Sequence, residues 1–121
     1  MLLSEKVRVE IFIPDLPDPS YRRLLTELET ELSYTFGGCT LLSASGNFRS
    51  ESGLILPDDV SLLFIDVALE LERDRLRIGH YVDRVRDAIR EALPREESIL
   101  IAVHPIFHAF MPSELVCSIN F

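Results

Sequence analysis

The chain has 121 residues, 47% of them hydrophobic, and its 20 acidic and 12 basic side chains give a formal charge of −8. A chain of about this length buries roughly two-thirds of the surface that it exposes when unfolded, so we expect residues 1–121 to form one domain around a single core. The negative field of this acidic protein repels phosphate backbones and anionic headgroups, which argues against nucleic acid and membrane as partners.

Signals for export or for disulfide bonding are missing from the sequence. The N-terminal residues lack a basic region followed by an apolar run, and no stretch of about 18 apolar residues is present. The two cysteines, Cys39 and Cys117, lie far apart and without CxxC spacing. We therefore predict a cytoplasmic protein with reduced thiols.

The first predicted elements are a strand and a helix. Apolar and other side chains alternate over Val7–Ile13, which is typical of a half-buried strand. Asp18 and Pro19 match an N-cap followed by proline at the first helical position. Apolar residues then recur with helical spacing as far as Leu32, and Gly37 follows the expected end of the helix.

The pattern in the middle of the chain predicts a second and a third strand. Residues 39–44 favour a second strand, but the polar run over residues 43–53 leaves its end open. Residues 54–56 fit either a brief returning strand or a packed loop. A third clear strand is predicted from residue 60 to about residue 71, because apolar side chains alternate there.

The last predicted elements are a helix and a strand. Apolar residues with helical spacing run over residues 78–93 and Pro94 ends the pattern. Residues 98–103 predict a fourth strand, and we expect Pro105 to limit its pairing. Residues 115–121 are a candidate fifth strand.

This order of elements predicts an α+β, ferredoxin-like βαββαβ fold, in which two helices cover one face of a four-stranded antiparallel sheet. The opposite face would then present five apolar side chains, which a monomer rarely leaves in water: Phe12, Leu62, Phe64, Leu100 and Ala102. We predict that these residues form the interface of a homo-oligomer. A pocket for an apolar ligand, or cover by the C-terminal residues 115–121, are the alternatives.

Core building does not explain the polar, glycine-rich segment after the first helix. Glycines let a backbone approach a ligand closely, Thr and Asn side chains supply hydrogen bonds, and Arg binds anions. We therefore predict a small-molecule site formed by Gly37, Gly38, Cys39, Thr40, Asn47, Phe48 and Arg49. The alternative is a tight entry into a strand followed by a hairpin turn.

These features favour a non-enzymatic, oligomeric α+β module with a structural, regulatory or small-ligand-binding role. The competing hypothesis is a small cofactor-free enzyme of the dimeric α+β barrel type. It would use His104, His108 or Cys39 in a pocket between the sheet and the helices, with two of them within about 3 to 4 Å of each other or of a carboxylate. The sequence contains no Walker A, GxSxG, HExxH or GxGxxG motif and no second close pair of metal ligands. We therefore predict no metal site and no cofactor.

The Phe36–Thr40 segment, with Gly46, Asn47, Phe48 and Gly53, resembles small bacterial ferredoxin-like proteins of uncharacterised function. These carry a Phe-Gly-Gly-x-Thr segment and then a Gly-x-aromatic turn, with Phe48 at the aromatic position. The resemblance covers roughly residues 19–71. It implies the α+β fold and frequent dimerisation, and it transfers no catalytic residues.

Overall fold

A computed structural model describes residues 2–94 and 99–109. The elements are β1 (Ser4–Pro14), α1 (Pro19–Phe36), β2 (Thr40–Arg49), β3 (Ile55–Val67), α2 (Arg75–Ala92) and β4 (Leu100–His108). The strands pair antiparallel in one sheet, in the order β2-β3-β1-β4. The ferredoxin-like βαββαβ fold predicted from the sequence is therefore confirmed. The candidate strand over residues 115–121 lies outside the described residues.

Local chemistry determines both ends of α1. The Asp18 carboxylate accepts a hydrogen bond of 2.9 Å from the Ser20 N–H, which caps the first turn. At the other end, Gly37 adopts the left-handed conformation with φ 83° and donates its N–H to the Ser33 carbonyl at 2.9 Å. The predicted start and end of this helix are confirmed.

The core lies between the helices and one face of the sheet. Strand β1 is central, and its four inward side chains are at most 3% exposed. They pack with inward residues of β3 and with one stripe of each helix, and this buried apolar area is the main stabilising contribution. The principal members are Val7, Val9, Ile11, Ile13, Leu24, Leu28, Leu32, Leu63, Ile65, Ile78, Val85 and Ile89.

The β2–β3 hairpin is longer than the sequence predicts. Strand β2 continues to Arg49, and β3 is continuous from Ile55. Ile55 and Leu56 therefore do belong to a returning strand, but this strand is the start of β3 and not a separate short element. Strand β1 ends where Pro14 pairs with Val60, and beyond that pair β3 has only β2 as a neighbour. Pro57 is accommodated there because its missing N–H faces no second strand.

Two other strand limits differ from the prediction. Strand β3 ends at Val67 and not near residue 71, because the Leu69 N–H donates to the Val67 carbonyl at 2.7 Å and turns the chain. Strand β4 passes through Pro105 and reaches His108. Its position at the sheet edge explains this, since a proline there sacrifices no bond to a second neighbour.

Leu63→Ala tests the placement of the core. Leu63 is fully buried, so we expect the free energy of unfolding to fall by about 3 kcal/mol, from lost transfer energy and a residual cavity. Leu76→Ala is the matched control, because Leu76 is 80% exposed and should change stability by less than about 0.5 kcal/mol. Urea unfolding of both variants measures the difference, and equal losses would contradict this core.

Candidate functional site on the open sheet face

The strand register places the five predicted interface residues on one face, away from the helices. Phe12 pairs with Leu62 on one side and with Leu100 on the other. In the next row, Glu10 lies between Phe64 and Ala102. We call this surface of the sheet the open face. The predicted sharing of one face is confirmed, whereas the interface role is not tested by the fold.

Strand β2 extends the apolar part of the open face. Leu42 pairs with Leu62, so one apolar row crosses all four strands through Leu42, Leu62, Phe12 and Leu100. The two outer side chains are the more exposed, Leu42 by 49% and Leu100 by 57%. The sequence alone does not place Leu42 on this face, because its position depends on how β2 registers with β3.

Charged side chains follow the two apolar rows of the open face in the direction of the start of β1. The Arg8 guanidinium donates two hydrogen bonds to the Asp66 carboxylate, from Nε to Oδ1 at 2.7 Å and from Nη2 to Oδ2 at 2.9 Å. It also stacks over the Phe64 ring, 4.3 Å from the centroid. The hydrogen bonds from Arg8 lower the pKa of Asp66, and the same bonds raise the pKa of Arg8. Both side chains are less than one-third exposed, which makes this pair stronger than an ordinary surface pair.

A second polar pair lies beside the first. His104 Nε2 lies 2.9 Å from Glu10 Oε1, across β1 and β4. His108 projects from the same face of β4, and its Nε2 is shielded from solvent and has no hydrogen-bond partner among residues 2–94 and 99–109. The alternation in β1 already predicts that Arg8 and Glu10 point outward. Their partners depend on the register.

The structure divides the predicted small-molecule site into two places. Gly37, Gly38, Cys39 and Thr40 lie where α1 ends and β2 begins, whereas Asn47–Arg49 lie at the far end of β2. Thr40 and Asn47 are seven positions apart along an extended strand, which corresponds to about 23 Å. One small ligand therefore does not contact both groups.

The contacts of the glycine segment are those of a helix end and a strand entry. Cys39 is half-buried against the core, and its Sγ lies 3.5 Å from Ser33 Oγ and 3.6 Å from the Glu29 carbonyl oxygen. With Gly37 capping α1, these contacts match the structural alternative given for the segment. Ligand binding by either group stays a prediction.

The three side chains that the enzyme hypothesis requires do not meet in one pocket. Cys39 contacts α1 on the helix side of the sheet, whereas His104 and His108 belong to the open face. His104 does have a carboxylate within the expected distance, but the pair lies on the open face and not in a pocket between sheet and helices. In the described part of the chain, no three His, Cys, Asp or Glu side chains are grouped closely enough to hold a metal ion.

Solved structures share this fold at low sequence identity. A nitrogen regulatory PII-like protein from Thiomonas intermedia, solved with ADP, AMP and bicarbonate, is 13% identical, with a TM-score of 0.52 over 90% of the present chain and 100% of its own. The periplasmic divalent cation tolerance protein CutA from Archaeoglobus fulgidus is 14% identical, with a TM-score of 0.52 over 93% and 92%. CutA from Synechococcus elongatus, complexed with Bis-Tris, is 10% identical, with a TM-score of 0.53 over 89% and 90%.

These likenesses show the fold alone. No protein-family model matches the sequence, and the comparison with curated proteins finds no match. Within residues 2–94 and 99–109, neither helix has the length and apolar character needed to cross a membrane.

Gly37→Ala tests the structural role of the glycine segment. Because Gly37 has φ 83°, a side chain there is strained, and we expect a loss of about 1 kcal/mol in the free energy of unfolding. Gly79→Ala is the matched control within α2, where an added Cβ meets nothing within 4 Å. It should stabilise the protein by about 0.5 to 1 kcal/mol. Changes of the same sign in thermal unfolding would contradict the C-cap assignment.

Asp66→Asn tests the paired charges of the open face. Removing the carboxylate from Arg8 should lower stability by about 1 kcal/mol near neutral pH. The folded-state pKa of Asp66 is lowered, so its contribution is present above the unfolded value of about 3.9 and is lost as the pH falls through the folded-state value. The difference between variant and wild type should therefore shrink on acidification.

The control for this variant is Asp83→Asn. Asp83 pairs with Arg86 at 2.8 Å on the surface of α2, where both side chains are more than half exposed. We expect this variant to lose less than about 0.5 kcal/mol. Equal losses of stability for the two variants in denaturant titrations would contradict a stabilising Arg8–Asp66 pair. So would an effect of Asp66→Asn that does not depend on pH.

Proposed function

We propose that the protein is a non-enzymatic module that works as a homo-oligomer, with the open face as the contact between copies. The observation that carries this proposal is the apolar row that crosses all four strands without cover from either helix. A continuous apolar surface of this kind on a sheet marks an interaction site. The occupant that we propose is a second copy of the chain.

The size of the open face supports a specific contact. Four strands spaced about 4.8 Å apart, with 8 to 10 paired positions between neighbours, cover roughly 550 Å². Two copies packed face to face would bury about 1,100 Å², which is above the approximately 1,000 Å² expected of a specific interface. Burial of the Phe and Leu side chains would provide most of the affinity, after association entropy is subtracted.

The charges of the open face also support self-association. The chain carries a net charge of −8, but this face combines Lys6 and Arg8 with Glu10, Asp58 and Asp66, a formal net charge of only −1. Two copies therefore meet less electrostatic repulsion here than elsewhere on the surface. Arg8 and Asp66 are already hydrogen-bonded within one copy, so burying them leaves neither charge alone.

We further propose a regulatory or ligand-binding role for this assembly in the cytoplasm. The free thiol of Cys39 is consistent with a reducing compartment. The PII-like protein solved with ADP, AMP and bicarbonate and the CutA complex with Bis-Tris support small-ligand binding as something this fold accommodates. The separation of Cys39 from both histidines argues against the enzyme alternative.

Leu62→Glu tests the proposal. Leu62 lies in the apolar row, next to Phe12 on β1, so an introduced carboxylate would be buried without a partner. We expect the wild type to sediment as an oligomer and the variant to dissociate with a dissociation constant at least about 100-fold higher. Leu76→Glu, on the outer surface of α2, should sediment like the wild type.

Circular dichroism should show all three proteins folded. A wild type that is monomeric at millimolar concentration, or an oligomer that Leu62→Glu leaves intact, would overturn the proposal. A chain shortened to residues 1–109 tests the C-terminal alternative. If only the shortened chain associates, residues 110–121 cover the face and the proposed contact between copies is wrong.

A further inference from the structure

A second candidate site lies on the helix side of the sheet. A cavity of about 230 Å³ opens where the end of α1 meets the start of α2. Its apolar wall comes from both helices and from the underlying strands and turn: Val7, Val9, Phe36, Val67, Leu69 and Ile78. None of these residues belongs to the apolar row of the open face.

The rigid surroundings of the cavity favour a preformed site. Val7, Val9 and Ile78 are at most 6% exposed, so they belong to the packed core. The rings of Phe36 and Tyr81 meet edge to face, with centroids 4.8 Å apart and an angle of 87° between their planes. This contact joins the two helices beside the cavity. A dry apolar cavity of about 150 Å³ takes up benzene, so the present one has room for a single ring or a short chain with a small polar group.

Three polar side chains line the cavity, Thr35, Arg77 and Tyr81, and the last two define what it would accept. Arg77 lines it from the exposed first turn of α2. Its charge helps to lower the pKa of the nearby Asp74 carboxylate, but the ion pair of Asp74, at 2.9 Å, is with Arg73. Tyr81 also lines it, and its hydroxyl is shielded from solvent without a hydrogen-bond partner in residues 2–94 and 99–109. Burial, with a smaller effect of the Glu31 carboxylate, raises the pKa of Tyr81, so the hydroxyl stays a neutral donor.

We infer that this cavity binds a small monocarboxylate with an aromatic ring or a short aliphatic chain. The apolar body fills the space above Val7 and Val9, and the carboxylate pairs with Arg77. One guanidinium matches one carboxylate in charge and in its two parallel hydrogen bonds. A phosphate ester carries more charge, and a single arginine on a chain with net charge −8 does not balance it.

Methyl NMR with 4-fluorobenzoate as the probe tests this inference. We expect the Val7, Val9, Val67, Leu69 and Ile78 methyl signals to shift on titration. Arg77→Gln should weaken binding of 4-fluorobenzoate about fivefold, which is the affinity that a partly exposed ion pair contributes. The same variant should bind the neutral 4-fluorobenzamide as tightly as the wild type does. Arg75→Gln is the control, because Arg75 is two residues away and pairs with Glu72 at 2.8 Å outside the cavity.

Val67→Phe provides the second arm, because a larger side chain fills the cavity. This variant should lose binding of both probes while its other methyl signals keep native dispersion. The inference is overturned if 4-fluorobenzoate leaves these methyls unshifted at millimolar concentration. It is overturned equally if the affinity is insensitive to both Arg77→Gln and Val67→Phe, or if the shifts fall on Leu62 and Leu100 of the open face.

Discussion

Strand β1 is the constraint on which the rest of the structure depends. It lies between β3 and β4, and its alternate side chains serve two different surfaces. Val7, Val9, Ile11 and Ile13 are nearly completely buried under the helices. Between them Arg8, Glu10 and Phe12 point to the face that neither helix covers. A change of register by one residue would exchange these two sets, so the core and the open face are specified together.

The open face combines features that are usually separated. A ligand site that is exposed to solvent needs no long apolar row. A sheet face that stays in solvent needs no charged side chains that are paired within the same copy. Both features suit a surface that becomes buried. The Arg8–Asp66 pair also orders the polar half of the face, because Arg8 stacks on Phe64 at the boundary with the apolar half. The apolar row would then contribute affinity, and the paired charges would contribute orientation.

Local signals explain what could be predicted from the sequence. The alternation over Val7–Ile13 and the Asp18 cap act within a few residues, and both are confirmed. The five apolar residues predicted for the open face follow from alternation of the same kind in β1, β3 and β4. Pro57 within β3 could not be predicted, because a proline fits there only where β1 has already ended. The partners of Arg8 and Glu10 likewise require the register between strands.

The sequence could not show whether the seven residues of the predicted small-molecule site lie close together. Gly37 and Asn47 are ten positions apart, and a loop between them would have brought them together. The extended β2 instead holds Thr40 and Asn47 about 23 Å apart, with the remaining members of the set beyond them on either side. The cavity beside Arg77 was missed for the opposite reason. Its wall comes from four elements and an adjoining turn, and these meet only in the folded chain.

The central claim is that a second copy covers the face that the helices leave open. Isotope-filtered NOE spectra of a mixture of labelled and unlabelled chains test this most directly, because they detect only contacts between copies. The account predicts intermolecular NOEs at the Leu62 and Leu100 methyls and at the Phe12 and Phe64 rings. Intermolecular NOEs confined to the helices, or none at millimolar concentration, would contradict it.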